Sequence, residues 1–494
     1  MNLKEPNLFV QKALIGADWV ESVSGREIEV ENPATGEIVG SVPDCSSAET
    51  EAAITAAKAA FPAWWHTSAE KRGRVLRKWY DLVVAHQDDL ALLMTSEQGK
   101  PLAEARAEVV YGASFIDWYA EEARRIYGGI VPPPSGDRRI LLLKEPVGVV
   151  AAVTPWNFPI AMITRKVAPA LAAGCTIVVK PSELTPFSAL ALATLALRAG
   201  IPPGVLNVVT GAPGPIGDAL IESDEVRKIS FTGSTRVGAM LMARGAPTIK
   251  RMSLELGGNA PFIVFEDADL DIAVDAAVAS KFRNAGQTCV CANRLLVHEA
   301  IYDDFADRLA SRVTRMRVGP GIESGVEIGP MITVAAAEKT RSYLSDALGK
   351  GATNLTPRDS IPAGGRFVSP AVLRDAEASM LVATEEIFGP IAPLFRFSSE
   401  AEAIGLANGT PFGLAAYFFT RSMDRAWRVG EALEFGMVGL NTGAISMAVA
   451  PFGGVKRSGF GREGGHEGIE EYLETKAFHI AAASLAPVES VDVG

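Results

Sequence analysis

Apolar positions along the chain change their period twice. Up to about residue 127 they recur at helical spacing over 47–60, 69–97 and 102–127, after an alternating run at 27–31 beside a turn at 33–36. Pro101 is well placed to open the third helix. Residues 128–137 are rich in Gly and Pro and read as a linker, and 138–144 read as a lone strand that must find its partner elsewhere. From Val147 apolar strands alternate with amphipathic helices, with strands at 147–153, 176–179, 206–209 and 228–231 and helices at 160–173, 186–199, 215–223 and 236–244. Near-continuous Val/Ile strands joined by helices predict a parallel sheet covered on both faces, which takes ligands at the carboxyl ends of its strands. A second alternating region runs from 261 to about 452 and opens with a strand at 262–265, and 477–483 is again strand-like. The fold class is α/β, with no internal repeat.

Composition narrows the reading. A chain of 494 residues, 48% hydrophobic and 21% charged, is globular and long enough for two or three lobes. Its 47 basic against 58 acidic residues give a net charge of −11 without a dense Lys/Arg run, so no nucleic-acid partner is expected. A local positive pocket remains compatible with that balance. The start carries Lys4, Glu5, Lys12 and Asp18 and lacks the apolar core of a signal peptide, and the most apolar run, 187–197, is too short to cross a bilayer. Four cysteines, Cys45, Cys175, Cys289 and Cys291, are too few and too irregular for a disulfide framework. A reduced, cytoplasmic protein with no membrane partner is the expectation. No metal site is expected, since two cysteines without nearby histidines do not make one.

Four stretches carry candidate chemistry. Phe282-Arg283-Asn284-Ala285-Gly286-Gln287-Thr288-Cys289-Val290-Cys291 places a cysteine on a small, Gly-containing loop, which suits a nucleophile, although free cysteines more often pack as small hydrophobes. Leu254-Glu255-Leu256-Gly257-Gly258-Asn259 sets a carboxylate at a strand end beside two glycines, where a ligand can approach the backbone closely; the plainer reading is a surface glutamate before a turn. In Thr154-Pro155-Trp156-Asn157-Phe158-Pro159, an amide between prolines is a plausible oxyanion donor, or simply turn chemistry. Phe231-Thr232-Gly233-Ser234-Thr235-Arg236-Val237-Gly238 is a strand, a glycine turn and a helix, an arrangement that places a pyrophosphate at a helix N-terminus; alone it is a weak signal, because it lacks the full G-x-G-x-x-G pattern.

Together these stretches resemble the aldehyde dehydrogenase superfamily, from about residue 20 to about residue 479, and Lys180-Pro181-Ser182-Glu183, Glu385-Glu386-Ile387-Phe388-Gly389-Pro390 and Pro451-Phe452-Gly453-Gly454 add to the match. The resemblance implies a Rossmann-like cofactor domain (1–127 and 146–257), an α/β catalytic domain (258–460) and a bridging, oligomerising element (128–145 and 461–494) that pairs 138–144 with a strand from about Ala477 and supports a homodimer or homotetramer. It implies that Cys289 attacks an aldehyde, that Asn157 and the Cys289 N–H hold the oxyanion, and that Glu255 activates the water that releases the acid. Thr154, Pro155, Trp156, Lys180, Ser182, Glu183, Gly233, Ser234, Leu256, Glu386 and Phe388 fall on cofactor-binding positions. Because a carboxylate at 183 repels a 2′-phosphate while Lys180 attracts one, the expectation is a preference for NAD with some use of NADP.

Met162-Ile163-Thr164-Arg165-Lys166, the stretch 281–286, Cys289-Val290-Cys291-Ala292-Asn293-Arg294 and the stretch 438–461 resemble the succinate-semialdehyde dehydrogenase branch, in which two arginines and a serine grip the substrate carboxylate. These fall on Arg165, Arg283 and Ser446 and imply a small carboxylated aldehyde as substrate. Spacing alone favours helix-surface arginines paired with local acids. Met447-Ala448-Val449 depart from the branch pattern, which keeps glutarate semialdehyde as a competitor. Cys291 reads as a redox partner for Cys289 or as a packing residue. An aminoaldehyde substrate sits poorly with two arginines. An idle structural relative sits poorly with intact Cys289, Glu255 and Asn157, and a thioester-passing relative that acylates coenzyme A sits poorly with Glu255.

Overall fold

In the computed structural model, which describes residues 2–134, 138–358 and 360–481, the run of apolar strands after Val147 becomes a parallel sheet. Its order is Arg251–Glu255, Val226–Thr232, Val149–Val153, Thr176–Lys180 and Leu206–Val208, edged by antiparallel Gly459–Phe460 on one side and Ala13–Ile15 and Asp18–Val20 on the other. The chain starts in the middle at Val149–Val153, winds one way to Leu206–Val208, then returns to the other side. That reversal opens a crevice at the carboxyl ends of Val149–Val153 and Val226–Thr232.

A second sheet follows the same logic, in the order Thr353–Asn354, Ala371–Arg374, Ile391–Phe397, Ala292–His298, Ala260–Val264, Ala415–Phe419 and Met437–Leu440, parallel except for its first strand. The molecule is therefore mixed α/β, with a Rossmann-like sheet and a catalytic α/β sheet.

The helices differ from the sequence expectation in two instructive ways. The run 69–97 is two helices, Ala69–Ala85 and Gln87–Gln98, because the backbone leaves the helical region at His86 (φ −105°, ψ 22°), whose Nδ1 lies 2.8 Å from the Leu82 carbonyl. The helix Ala161–Ala173, which reads as amphipathic, is buried at every position, Arg165 and Lys166 included. It lies between the first sheet and the helix Leu102–Glu122, so its charged residues face partners rather than water.

The lone strand finds its partner. Arg138–Pro146 pairs antiparallel with Leu473–Ala481 and with Gly129–Val131, so the stretch read as a linker contributes a strand. The C-terminal strand starts four residues before the expected Ala477; residues 135–137, 482–483 and the tail 484–494 lie outside the described residues. Among the described residues no helix is long and apolar enough to cross a membrane.

Gly459 is where the two halves of the chain are stitched together. Its φ of +110° is open to glycine, and a Cβ there would run into the Leu254 carbonyl, one residue from Glu255. Gly459→Ala is expected to cost roughly 1–3 kcal/mol in backbone strain alone, read as a lower apparent Tm at fixed scan rate.

Candidate active site

Cys289 lies at the end of a loop whose backbone is strained. Asn284 (φ 52°), Ala285 (φ 54°) and Gly286 (φ 76°) are all left-handed, and two of the three carry side chains that disfavour it. The contortion delivers a half-buried thiol to the crevice of the first sheet. There, a cavity of about 280 Å³ is lined by Pro155, Trp156 and Asn157 from one strand end and Thr232, Gly233 and Ser234 from the next. Leu256, Gly257, Glu386, Ile387 and Phe388 complete it with Cys289, and Ala336 and Lys339, which no sequence signal singled out, close its rim.

Asn157 is buried; its Nδ2 gives one N–H to the Gln287 carbonyl at 3.0 Å, which leaves a second N–H for a ligand. The Cys289 N–H meets no acceptor among the described residues. Burial pushes the Cys289 thiol up to about 12, while the Arg165 guanidinium pulls it down.

Glu255 is nearly sealed, with both carboxylate oxygens lacking a hydrogen-bond partner. Burial, then the neighbouring carboxylate of Glu463, hold it well above the usual carboxylate range, opposed by Arg165, Lys166 and Arg462. It faces Gly453, where a Cβ would sit 2.9 Å from Oε1, so the missing side chain at 453 makes room for the Glu255 carboxylate.

Arg165 is not a helix-surface residue. It is 1% exposed, ion-paired with Glu463 and stacked 4.3 Å from the Phe452 ring, and Glu463 also binds Lys166. Arg283 is exposed, with its guanidinium 5.1 Å from the Phe158 ring. Burial raises the Tyr111 hydroxyl above its ordinary range, while Arg165, Arg283 and Ser446, all close to it, pull it down. Tyr111 thus gathers the three residues assigned to the substrate carboxylate. Sequence reasoning missed it, along with Glu463; on an amphipathic helix a tyrosine reads as packing. Met447 is exposed in the single chain.

Toward the dinucleotide, Thr154 Oγ1 and Thr232 Oγ1 are buried and unpartnered at the crevice, and Ser234 caps the helix Thr235–Gly245. Glu386 accepts from the Gly258 N–H at 3.0 Å, and burial raises its carboxyl to about 7. Trp156 and Phe388 meet edge to face at 5.7 Å. Unsatisfied hydroxyls beside a helix N-terminus fit a nicotinamide dinucleotide. Ser182 is buried and bonds the Leu184 N–H, and Lys180 is ion-paired with Glu183 at 2.8 Å.

Cys291 is a free, buried thiol whose Sγ lies 3.4 Å from the Lys281 carbonyl. No cluster among the described residues is suited to a metal ion.

Because both the thiol and Glu255 are held protonated, reactivity must climb with pH. Alkylation of Cys289 by iodoacetamide is expected to accelerate about tenfold per pH unit below pH 9. Arg165→Gln with Glu463→Gln removes the helpful cation without stranding its partner, and is expected to slow alkylation at every pH; an unchanged rate would show that Arg165 does not act on the thiol.

The model of the aldehyde dehydrogenase family matches residues 19–478. The chain is 57% identical over 476 residues to the succinate-semialdehyde dehydrogenase [NADP(+)] of Escherichia coli (strain K12), covering 96% of this chain and 99% of that protein. It is 56% identical over 476 residues to the glutarate-semialdehyde dehydrogenase of Pseudomonas putida, covering 96% and 99%. The crystal structure of an E. coli NADP-dependent enzyme superposes with a TM-score of 0.96 at 56% identity, over 97% of this chain and 100% of that one. A relative and a solved structure whose descriptions name NADP overturn the expected preference for NAD. The physical reason lies at Glu183, whose charge is already balanced by Lys180 and is therefore not free to repel a 2′-phosphate. With a match from residue 19 to residue 478, and relatives alike over nearly their whole length, the chain belongs to the aldehyde dehydrogenase family.

Proposed function

We propose that the protein oxidises succinate semialdehyde to succinate, with NADP as hydride acceptor, through a thioester on Cys289. The observation that carries this reading is the grouping of Arg165, Arg283, Ser446 and Tyr111 near Cys289, a set of cationic and hydroxyl groups suited to a carboxylate. The names of the relatives support it, the Pseudomonas putida one making glutarate semialdehyde the competing substrate.

In this reading the guanidinium of Arg283 and the Tyr111 hydroxyl bind the carboxylate, and Arg165 supplies buried positive charge. The aldehyde carbon then sits at Cys289 Sγ. Attack by the thiolate gives a thiohemiacetal, whose oxyanion takes the free N–H of Asn157 and the Cys289 N–H. Pro155, Trp156, Thr232, Ser234, Glu386 and Phe388, together with Lys180, Ser182 and Glu183 at the adenosine end, hold the dinucleotide, which when bound accepts the hydride. Glu255, a strong base because its ionised form is poorly solvated, deprotonates the water that cleaves the thioester. Residues 1–127 and 146–257 serve the cofactor, 258–460 the catalytic thiol, and the sheet built on Arg138–Pro146 serves assembly. Support for a homo-oligomer comes from the edge strand Gly129–Val131 of that sheet, where Ile130 is 75% exposed.

The test is NADPH and NADH formation with succinate semialdehyde, glutarate semialdehyde and butanal side by side. Both carboxylated aldehydes are expected to exceed butanal in kcat/KM, succinate semialdehyde leading; equal turnover of butanal sinks the carboxylate grip. Arg283→Met is expected to lose about 1.5–3 kcal/mol, roughly 10- to 150-fold in kcat/KM, for the carboxylated substrates only, and Tyr111→Phe about 0.5–1.5 kcal/mol. Glu255→Gln is expected to release one equivalent of reduced cofactor in a burst and then stall, seen by stopped-flow absorbance.

A further inference from the structure

Between the two halves of the site lies a polar cluster that the proposed mechanism does not use. Lys100, on the link between the helices Gln87–Gln98 and Leu102–Glu122, and Glu108, on the second of them, are 1% and 3% exposed and ion-paired with each other. Two charges are not sealed from water without a structural return, because each loses several kcal/mol of hydration.

Their contacts show where the return lies. Lys100 Nζ donates to the backbone carbonyl of Asn157 at 2.8 Å, and its ammonium sits 4.0 Å from the Phe158 ring. Glu108 Oε1 accepts from the Ile160 N–H at 2.9 Å and the Ala161 N–H at 3.3 Å, which satisfies the start of the helix that carries Arg165. The pair thus grips both ends of the loop that presents the Asn157 amide. The grip continues across to the nucleophile loop. Lys100 N–H donates to Gln98 Oε1 at 3.0 Å, Gln98 Nε2 to Asn284 Oδ1 at 3.0 Å, and Asn284 Nδ2 to the same Asn157 carbonyl at 3.0 Å. This closes a ring. Asn284, one of the three left-handed residues before the thiol, also reaches the Gln287 carbonyl at 3.4 Å, the acceptor that Asn157 Nδ2 uses.

We infer that Lys100, with Glu108 as its counter-ion, is a positioning residue that fixes the oxyanion-binding amide of Asn157 against the Cys289 loop. The inference rests on the reading of Asn157 as an oxyanion donor. Lys100 does not line the crevice that holds Cys289. It acts through the peptide of Asn157, whose carbonyl two donors hold, one of them charged and therefore stronger than a neutral hydrogen bond. An amide displaced by a fraction of an ångström still permits ground-state binding but meets the tetrahedral oxyanion badly.

The experiment measures the single-turnover rate of NADPH formation at saturating succinate semialdehyde, together with aldehyde and cofactor affinities, in K100M, N157A and N157A/K100M. K100M is expected to slow hydride transfer by roughly 10- to 100-fold while both affinities stay within about threefold. In the N157A background the same substitution is expected to change nothing further, a non-additivity that general loosening of the fold does not produce. Should K100M fail to fold, K100M/E108Q removes both buried charges and keeps an acceptor for Ile160, and the same comparison is made with that pair. A K100M rate within threefold of the wild type overturns the assignment, as does an equal loss in both backgrounds. An N157A enzyme as fast as the wild type overturns the oxyanion reading itself, and this inference with it.

Discussion

Parallel pairing of Val149–Val153 with Thr176–Lys180 on one side and with Val226–Thr232 on the other is the constraint from which the site follows. Parallel strands must be reconnected by crossovers, and a chain that begins in the middle of its sheet and crosses first one way and then the other leaves a gap between two of its loops. Those loops carry Asn157 and Ser234. A turn that bridged the gap would fill the crevice with backbone; here it stays open, and the neighbouring lobe pushes Cys289 into it. Asn157, Cys289 and Ser234 therefore meet at one cavity, although they come from distant parts of the chain.

Around that place the structure stores charge. Arg165, Lys166, Glu255 and Glu463 are all buried, and only Glu463 holds two cations at once. In a poorly solvated pocket each of these groups feels the others strongly, so the base is raised by one neighbour and lowered by three, and the thiol responds to the arginine. The site reaches its reactive state through this mutual tuning rather than through any single activated residue.

Much of this was legible in the chain. The two α/β regions followed from the strand–helix alternation, and the stretches around Cys289, Glu255 and Asn157 stood out because glycines and prolines flank chemically capable side chains. What failed to show did so for physical reasons. Tyr111 and Glu108 lie on a helical stretch, and Lys100 on the short link before it, where their residue types are ordinary, and only the fold reveals how far each is withdrawn from water. The break at His86 hides within an unbroken periodicity, because the residues on either side keep the helical phase. Glu183 misled for a related reason. Residue type gave its charge correctly, but the ion pair with Lys180 that offsets it depends on a loop geometry that spacing does not specify.

The pairing of Arg165 with Glu463 also bears on how such a pocket can change its preferences over many generations. An arginine on an exposed helix could drift to a neutral residue by one step, opening the way to uncharged aldehydes. Here that step takes one of two ion-pair partners from the buried Glu463 and leaves it Lys166, and breaking a buried pair of this kind costs about 3–5 kcal/mol. The reverse first step leaves the guanidinium short of its partner instead. Losing this arginine therefore takes two changes together, with an unstable intermediate whichever comes first, so the pairing shields Arg165 from single mutations.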